Sequence, residues 1–168
     1  MAELEFILEP SFIVTWVKFR RRNLLEKLDA RYYILEDFFN VFSWGKVVRY
    51  LLENLGKLFT IISYSDAEIS DIREKVYQII GGDKRLCVMS GLGIKIIAIA
   101  VQRDLRVLSD NICIHKFATL YWDPKMVWTS IDLLTYMREE GIIDDLEKVL
   151  QELSTDANAI IIKTPEFF

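Results

Sequence analysis

The sequence predicts an α/β fold: one three-layer α/β/α domain around a mostly parallel sheet of about four or five strands, with more helix than strand. Three observations predict it. Lys57 to Ser63 is a β-branched run bounded by Gly56 and by Ser65-Asp66, the composition of a strand between two turns. Leu105, Val107 and Leu108 form a short apolar stretch that stops on Ser109-Asp110-Asn111, three side chains able to cap a following helix. Between these strands the apolar spacing is helical, and Ile94 to Arg103 is apolar almost throughout, which suits a core helix buried on most sides.

In chain order, Glu5 to Leu8 reads as a short strand closed by Pro10, which then suits the first turn of a helix through Phe12, Ile13, Trp16, Val17 and Phe19 because its missing N–H costs nothing there. Tyr32 to Leu35 reads as a short extended link. Glu36 to Asn54 has helical periodicity, with Phe38, Val41, Phe42, Val48, Leu51 and Leu52 on one face and Gly56 as C-cap. A helix over Ala67 to Ile80 is capped by Ser65 or Asp66 and ended by Gly81-Gly82-Asp83. Leu86 to Met89 reads as extended. Gly91-Leu92-Gly93 lacks the third glycine and the preceding long strand of a dinucleotide fingerprint. Cys113 to Tyr121 reads as a helix, Lys125 to Trp128 as a strand, and Thr129 to Glu140 as a helix capped by Gly141. A last helix spans Asp145 to Leu153, Ser154-Thr155-Asp156 breaks it, and Ala159 to Lys163 reads as an edge strand or a docking tail.

At 168 residues the chain suits a single domain, 1–168, with a core large enough to need no metal or disulfide staple. No repeat or composition shift marks a second domain. Apolar residues make up 52%, more than core alone requires, so part of the surplus suits an interface. Charges interrupt every apolar run before membrane-spanning length, so no membrane partner is expected. Acids at Glu3 and Glu5 stand where a secretory signal would carry bases, which reads as intracellular and cytoplasmic. Cys87 and Cys113 lie in apolar contexts without ligand spacing and read as buried small hydrophobes, not a disulfide or a zinc site. The net charge of -4 argues against indiscriminate nucleic-acid binding, although Lys18, Arg20, Arg21 and Arg22 form one dense basic run. That run reads as a solvated helix face with acidic partners such as Glu26, or as a phosphate-contacting patch with Trp16, Phe19 or Tyr32 as stacking surface.

The stretch VLSDNICIHKFA resembles the late strand of a PIN domain: an apolar strand, Ser or Thr, Asp, then Asp or Asn, then a helix with a small residue eight positions after the first Asp. Leu108, Ser109, Asp110, Asn111 and Ala118 occupy those places. The preceding segment resembles that family's small-residue helix, with Ala98 and Ala100 as close-packing positions, and VWTSIDLLTYMREEGII resembles its closing strand and helix. Leu24 to Ala30 is assigned a helical turn only by its resemblance to one found early in that family. At the first strand the family carries Asp and then a small polar residue two places on; here Glu9 and Ser11 stand there.

The resemblance implies carboxylates converging at the carboxyl ends of parallel strands to hold Mg²⁺ or Mn²⁺ for hydrolysis of single-stranded RNA. Hard cations prefer such oxygen ligands. Glu9 and Asp110 would then be metal ligands, with Glu36 or, second, Asp37 as a further acid, and Ser11 and Asn111 as helpers. The third acid should lie within Gly91 to Lys95, where there is none and Lys95 brings the opposite charge. Asp110 also reads simply as a helix cap, His115 as a surface or structural residue, and Asp132 as support for its helix N-terminus. Two functions follow as expectations: a Mg²⁺- or Mn²⁺-dependent ribonuclease with an incomplete acid cluster, or a PIN-like interaction domain without catalysis. A homodimer or a small antitoxin-like protein is the expected protein partner.

Overall fold

Five short strands build one wholly parallel sheet in the computed structural model, which describes residues 3–40, 49, 53 and 56–161. They are β1 (Leu4–Leu8), β2 (Ala30–Leu35), β3 (Phe59–Ile62), β4 (Arg106–Leu108) and β5 (Val127–Trp128), in the order β3-β2-β1-β4-β5. Phe6 of β1 lies opposite Tyr32 on one side and Arg106 on the other. The chain steps outward from β1 to β3 and then returns past β1 to lay down β4 and β5. The order therefore reverses between β1 and β4, the crevice where open parallel sheets place ligands.

Alternation along the strands sorts the core into two clusters. Phe6, Leu8, Tyr32, Ile34 and Leu108 point to one face, where α1 (Pro10–Lys18), α5 (Ser130–Glu139) and α6 (Leu146–Ile161) cover them with Phe12, Trp16, Leu133, Met137 and Leu153. Ile7, Leu35, Val107 and Val127 point to the other face, under α2 (Asp66–Gly82), α3 (Gly91–Arg103) and α4 (Ile112–Tyr121). This is the three-layer α/β/α architecture that the sequence predicts. α3 is the innermost helix, with Ile96, Ile97, Ile99 and both alanines at 98 and 100 sealed from solvent.

Several elements differ from expectation. Tyr32 to Leu35 belongs to a full inner strand, because β2 is paired on both sides by β1 and β3. The turn after α1 is a 3₁₀ helix over Arg22–Lys27, and another, Glu36–Asn40, follows β2. The remainder of the helix expected through Asn54 lies largely outside the described residues. α3 begins at Gly91, capped by the Ser90 side chain, and so includes both glycines. Ser154-Thr155-Asp156 does not break the last helix, which continues to Ile161: Ser154 and Thr155 face solvent while Leu153 and Ala157 stay buried, so polar side chains here mark a helix face. An edge strand from Ala159 is thereby excluded as far as Ile161.

Cys87 and Cys113 also depart from expectation. They are joined in a disulfide with Cα atoms 5.4 Å apart, as α4 is laid against the segment before α3. Among the described residues no helix is long and apolar enough to cross a membrane.

Candidate functional site

β1 ends by handing Glu9 to the switch point. Its backbone N–H donates to Leu108 O of β4 at 3.0 Å, and Pro10 then starts α1, so Glu9 becomes the N-cap of that helix. The carboxylate turns inward. Oε2 accepts from Ser11 N at 3.1 Å, from the Ser11 hydroxyl, and from Ser109 Oγ at 2.8 Å. Glu9 is 4% exposed, and this burial pushes its carboxyl above the ordinary value against the pull of those hydrogen bonds, with the charge of Asp110 adding to the rise.

Ser11 and Ser109 join the two acidic positions. The Ser11 hydroxyl accepts from Asp110 N at 2.9 Å, and Ser109 Oγ accepts from Asn111 N at 3.0 Å. Asn111, and not Asp110, is the N-cap of α4, with Oδ1 accepting from Cys113 N at 2.9 Å. Asp110 instead reaches across the sheet edge to the first residue of α5. Its Oδ1 accepts from Ser130 N at 2.7 Å and its Oδ2 from Ser130 Oγ at 2.5 Å, while Ser130 Oγ accepts from Trp16 Nε1 of α1 at 2.9 Å. Desolvation raises the Asp110 carboxyl, opposed by the Ser130 bonds and the neighbouring His115. His115 Nε2 lies 2.7 Å from Ser109 O, a carbonyl that can only accept, so Nε2 carries the proton.

The second acid resolves differently from the leading expectation. Glu36 is exposed, whereas Asp37 is drawn in and accepts from Tyr64 OH at 2.7 Å and from Lys95 Nζ at 2.8 Å. Burial raises Asp37, but the two hydrogen bonds and the ammonium charge outweigh it and hold the carboxyl below its ordinary value. Lys95, in the second turn of α3, also lies over the Tyr64 ring at 5.7 Å. The helix where the resemblance places a third acid thus supplies a cation, paired to Asp37 in the turn just after β2.

The carboxylate oxygens a divalent ion would need are largely engaged by the chain's own groups. Both Asp110 oxygens are held by Ser130, Asp37 is neutralised by Lys95, and Glu9 keeps only Oε1 without a hydrogen bond from the described residues. Among those residues no group of three His, Cys, Asp or Glu side chains is arranged to hold a metal ion. Such ions take about six oxygens, at least one or two from carboxylates.

The basic run is placed apart from these acids. It follows the C-terminal end of α1, about 13 Å along the helix from Glu9. Arg20 makes a bidentate pair with Asp156 and Arg21 a pair with Glu152, so the partners come from α6 and not from Glu26. Arg22 donates to Phe19 O at 3.4 Å, and Lys18 is exposed. Ser130, Tyr64 and Lys95 are the site residues that sequence reasoning missed as participants. Ser130 offered one signal, its place directly after the capping Thr129, whose box with Asp132 is formed.

No protein-family model matches this chain, and no curated protein matches it.

Proposed function

We propose that this chain is a PIN-like domain that retains the three-layer scaffold and acts as an interaction domain without metal-dependent catalysis. The observation that carries this reading is the Lys95–Asp37 ion pair at 2.8 Å. Where the resemblance calls for another acid to share a divalent ion, the chain provides its own monovalent cation. The two acids at the switch point are meanwhile used as helix-capping groups, Glu9 for α1 and Asp110 for α5.

A protein partner suits this domain better than RNA. Arg20 and Arg21 are committed to α6, whereas the first residue of α4, Ile112, and the second of α5, Ile131, are 58% and 56% exposed beside the bonded Asp110–Ser130 pair. A second copy of the chain or a small antitoxin-like protein would bury such side chains, and light scattering on the eluting protein distinguishes a monomer from a dimer.

A metal-dependent ribonuclease is the second reading, favoured by the location of Glu9 and Asp110 at the switch point and by the uncommitted Glu9 Oε1. Incubation with single-stranded RNA and Mn²⁺, beside an Asp110→Asn variant, decides between them. The interaction reading expects no cleavage, or equal traces from both proteins. Cleavage by the wild type that disappears in Asp110→Asn overturns it.

A further inference from the structure

The Cys87–Cys113 bond closes a covalent loop around α3, β4 and the Ser109-Asp110-Asn111 turn, its ends 26 positions apart in the chain. Cys87 lies in the segment between α2 and α3, three residues before Ser90, which caps α3. Cys113 is the second residue of α4 and donates its N–H to the capping Asn111. The bond therefore ties together the N-termini of two helices that open on the candidate site.

We propose that this disulfide is a redox modification site, reduced and re-formed in the folded protein by dithiol and disulfide partners, and that it sets how tightly the start of α3 is held against α4. The two sulfurs differ in access. Cys87 is half-buried beside Val88, which is 91% exposed, whereas Cys113 is only 5% exposed. An incoming thiolate therefore attacks the Cys87 sulfur, the S–S bond breaks, and its electron pair leaves on Cys113. That sulfur sits in the first turn of a ten-residue helix, where the positive end of the dipole stabilises a thiolate and a better leaving group departs faster. The second thiol of the dithiol then attacks its own sulfur in the mixed disulfide and releases Cys87. The dithiol ends as a disulfide, and its two electrons and two protons end on the cysteines.

Apolar packing holds this region together besides the bond, since Leu86, Met89, Ile94 and Ile114 share one buried cluster on that face. Reduction removes the tether and leaves the core. What loosens is the stretch leading into Ser90 and Lys95, and through Lys95 the pair with Asp37. This inference does not rest on the proposed interaction function.

The test uses the full chain, purified without reductant and treated with oxidised glutathione. Thiols are counted in the native protein before and after mild dithiothreitol, and amide exchange is followed over residues 86–95 and 111–115. The expected result is no thiol before, two after without denaturant, and exchange over 86–95 faster by about tenfold with the central strands unchanged, reversed on re-oxidation. A Cys113→Ser variant is expected to take up glutathione at Cys87, and a Cys87→Ser variant to take it up more slowly at Cys113 while showing the fast exchange. Two persistent thiols after oxidation, a bond that yields only in denaturant, or exchange indifferent to reduction would each overturn the proposal.

Discussion

Lys95 of α3 donates to Asp37 beyond β2 at 2.8 Å, and Tyr64 donates to the same oxygen at 2.7 Å, so one carboxylate oxygen ties the end of an inner strand to the most buried helix. Both charged side chains are under a third exposed, which places the pair between a surface bridge and a buried one. Lys95→Met is expected to lower stability by about 1 kcal/mol in urea unfolding, with most of the loss absent when Asp37→Asn is already present. Additive losses from the two changes would show that the pair is not energetically coupled.

Asp110 has a structural task that two substitutions separate. Asp110→Ala removes both acceptors of Ser130 and should cost about 2 kcal/mol, the upper range for a helix cap bonded through a charge. Asp110→Asn keeps an acceptor for Ser130 N, and the rotating Ser130 hydroxyl can accept from the new amide, so its cost should stay below about 1 kcal/mol. Urea midpoints of the two variants supply the comparison.

Glu9 should make the protein less stable as pH rises. Its folded carboxyl lies above the ordinary value because burial disfavours the charge. In the unfolded chain it ionises from about pH 4.3, so the folded state binds the extra proton above that point and loses stability until its own raised value is passed. Glu9→Gln, which cannot ionise, should flatten this decline above about pH 4 in urea titrations. A wild-type profile parallel to that of the variant would contradict the assigned burial effect.

The α6 clamp should respond in the opposite sense. Arg20 holds Asp156 and Arg21 holds Glu152 below the ordinary carboxylate range. Their contribution is present above the unfolded values, near pH 4, and is lost as pH falls through the folded ones. Amide exchange over residues 152–157 should therefore quicken on acidification and also in high salt, which screens exposed pairs. Arg20→Ala should reproduce the effect at neutral pH.

The sheet and its helices were legible where local chemistry and tertiary packing agree. Leu105 to Leu108 announces β4 by apolar residues followed by caps, and Pro10 marks the start of α1. Tyr32 to Leu35 carries little local sign of an inner strand because its pairing on both sides comes from distant residues, and Ser154-Thr155-Asp156 resembles a break because polar side chains on one face of a helix look like one. At the site, Glu9 and Asp110 were legible as neighbours of strand ends. The use of Asp110 by Ser130 was not, since the two are brought together only by β4–β5 pairing. The Cys87–Cys113 bond and the choice of Asp37 over Glu36 have the same origin: neither has a local signature, and both are fixed by where α3 and α4 lie.

Titration calorimetry with Mn²⁺ on the wild type and on Lys95→Asp addresses whether the acids at the sheet's carboxyl end are satisfied by the chain's own groups. The wild type is expected to give no saturable heat, and the variant, which exchanges the internal cation for a further carboxylate, to give a binding isotherm. Stoichiometric Mn²⁺ binding by the wild type that Asp110→Asn abolishes would contradict this.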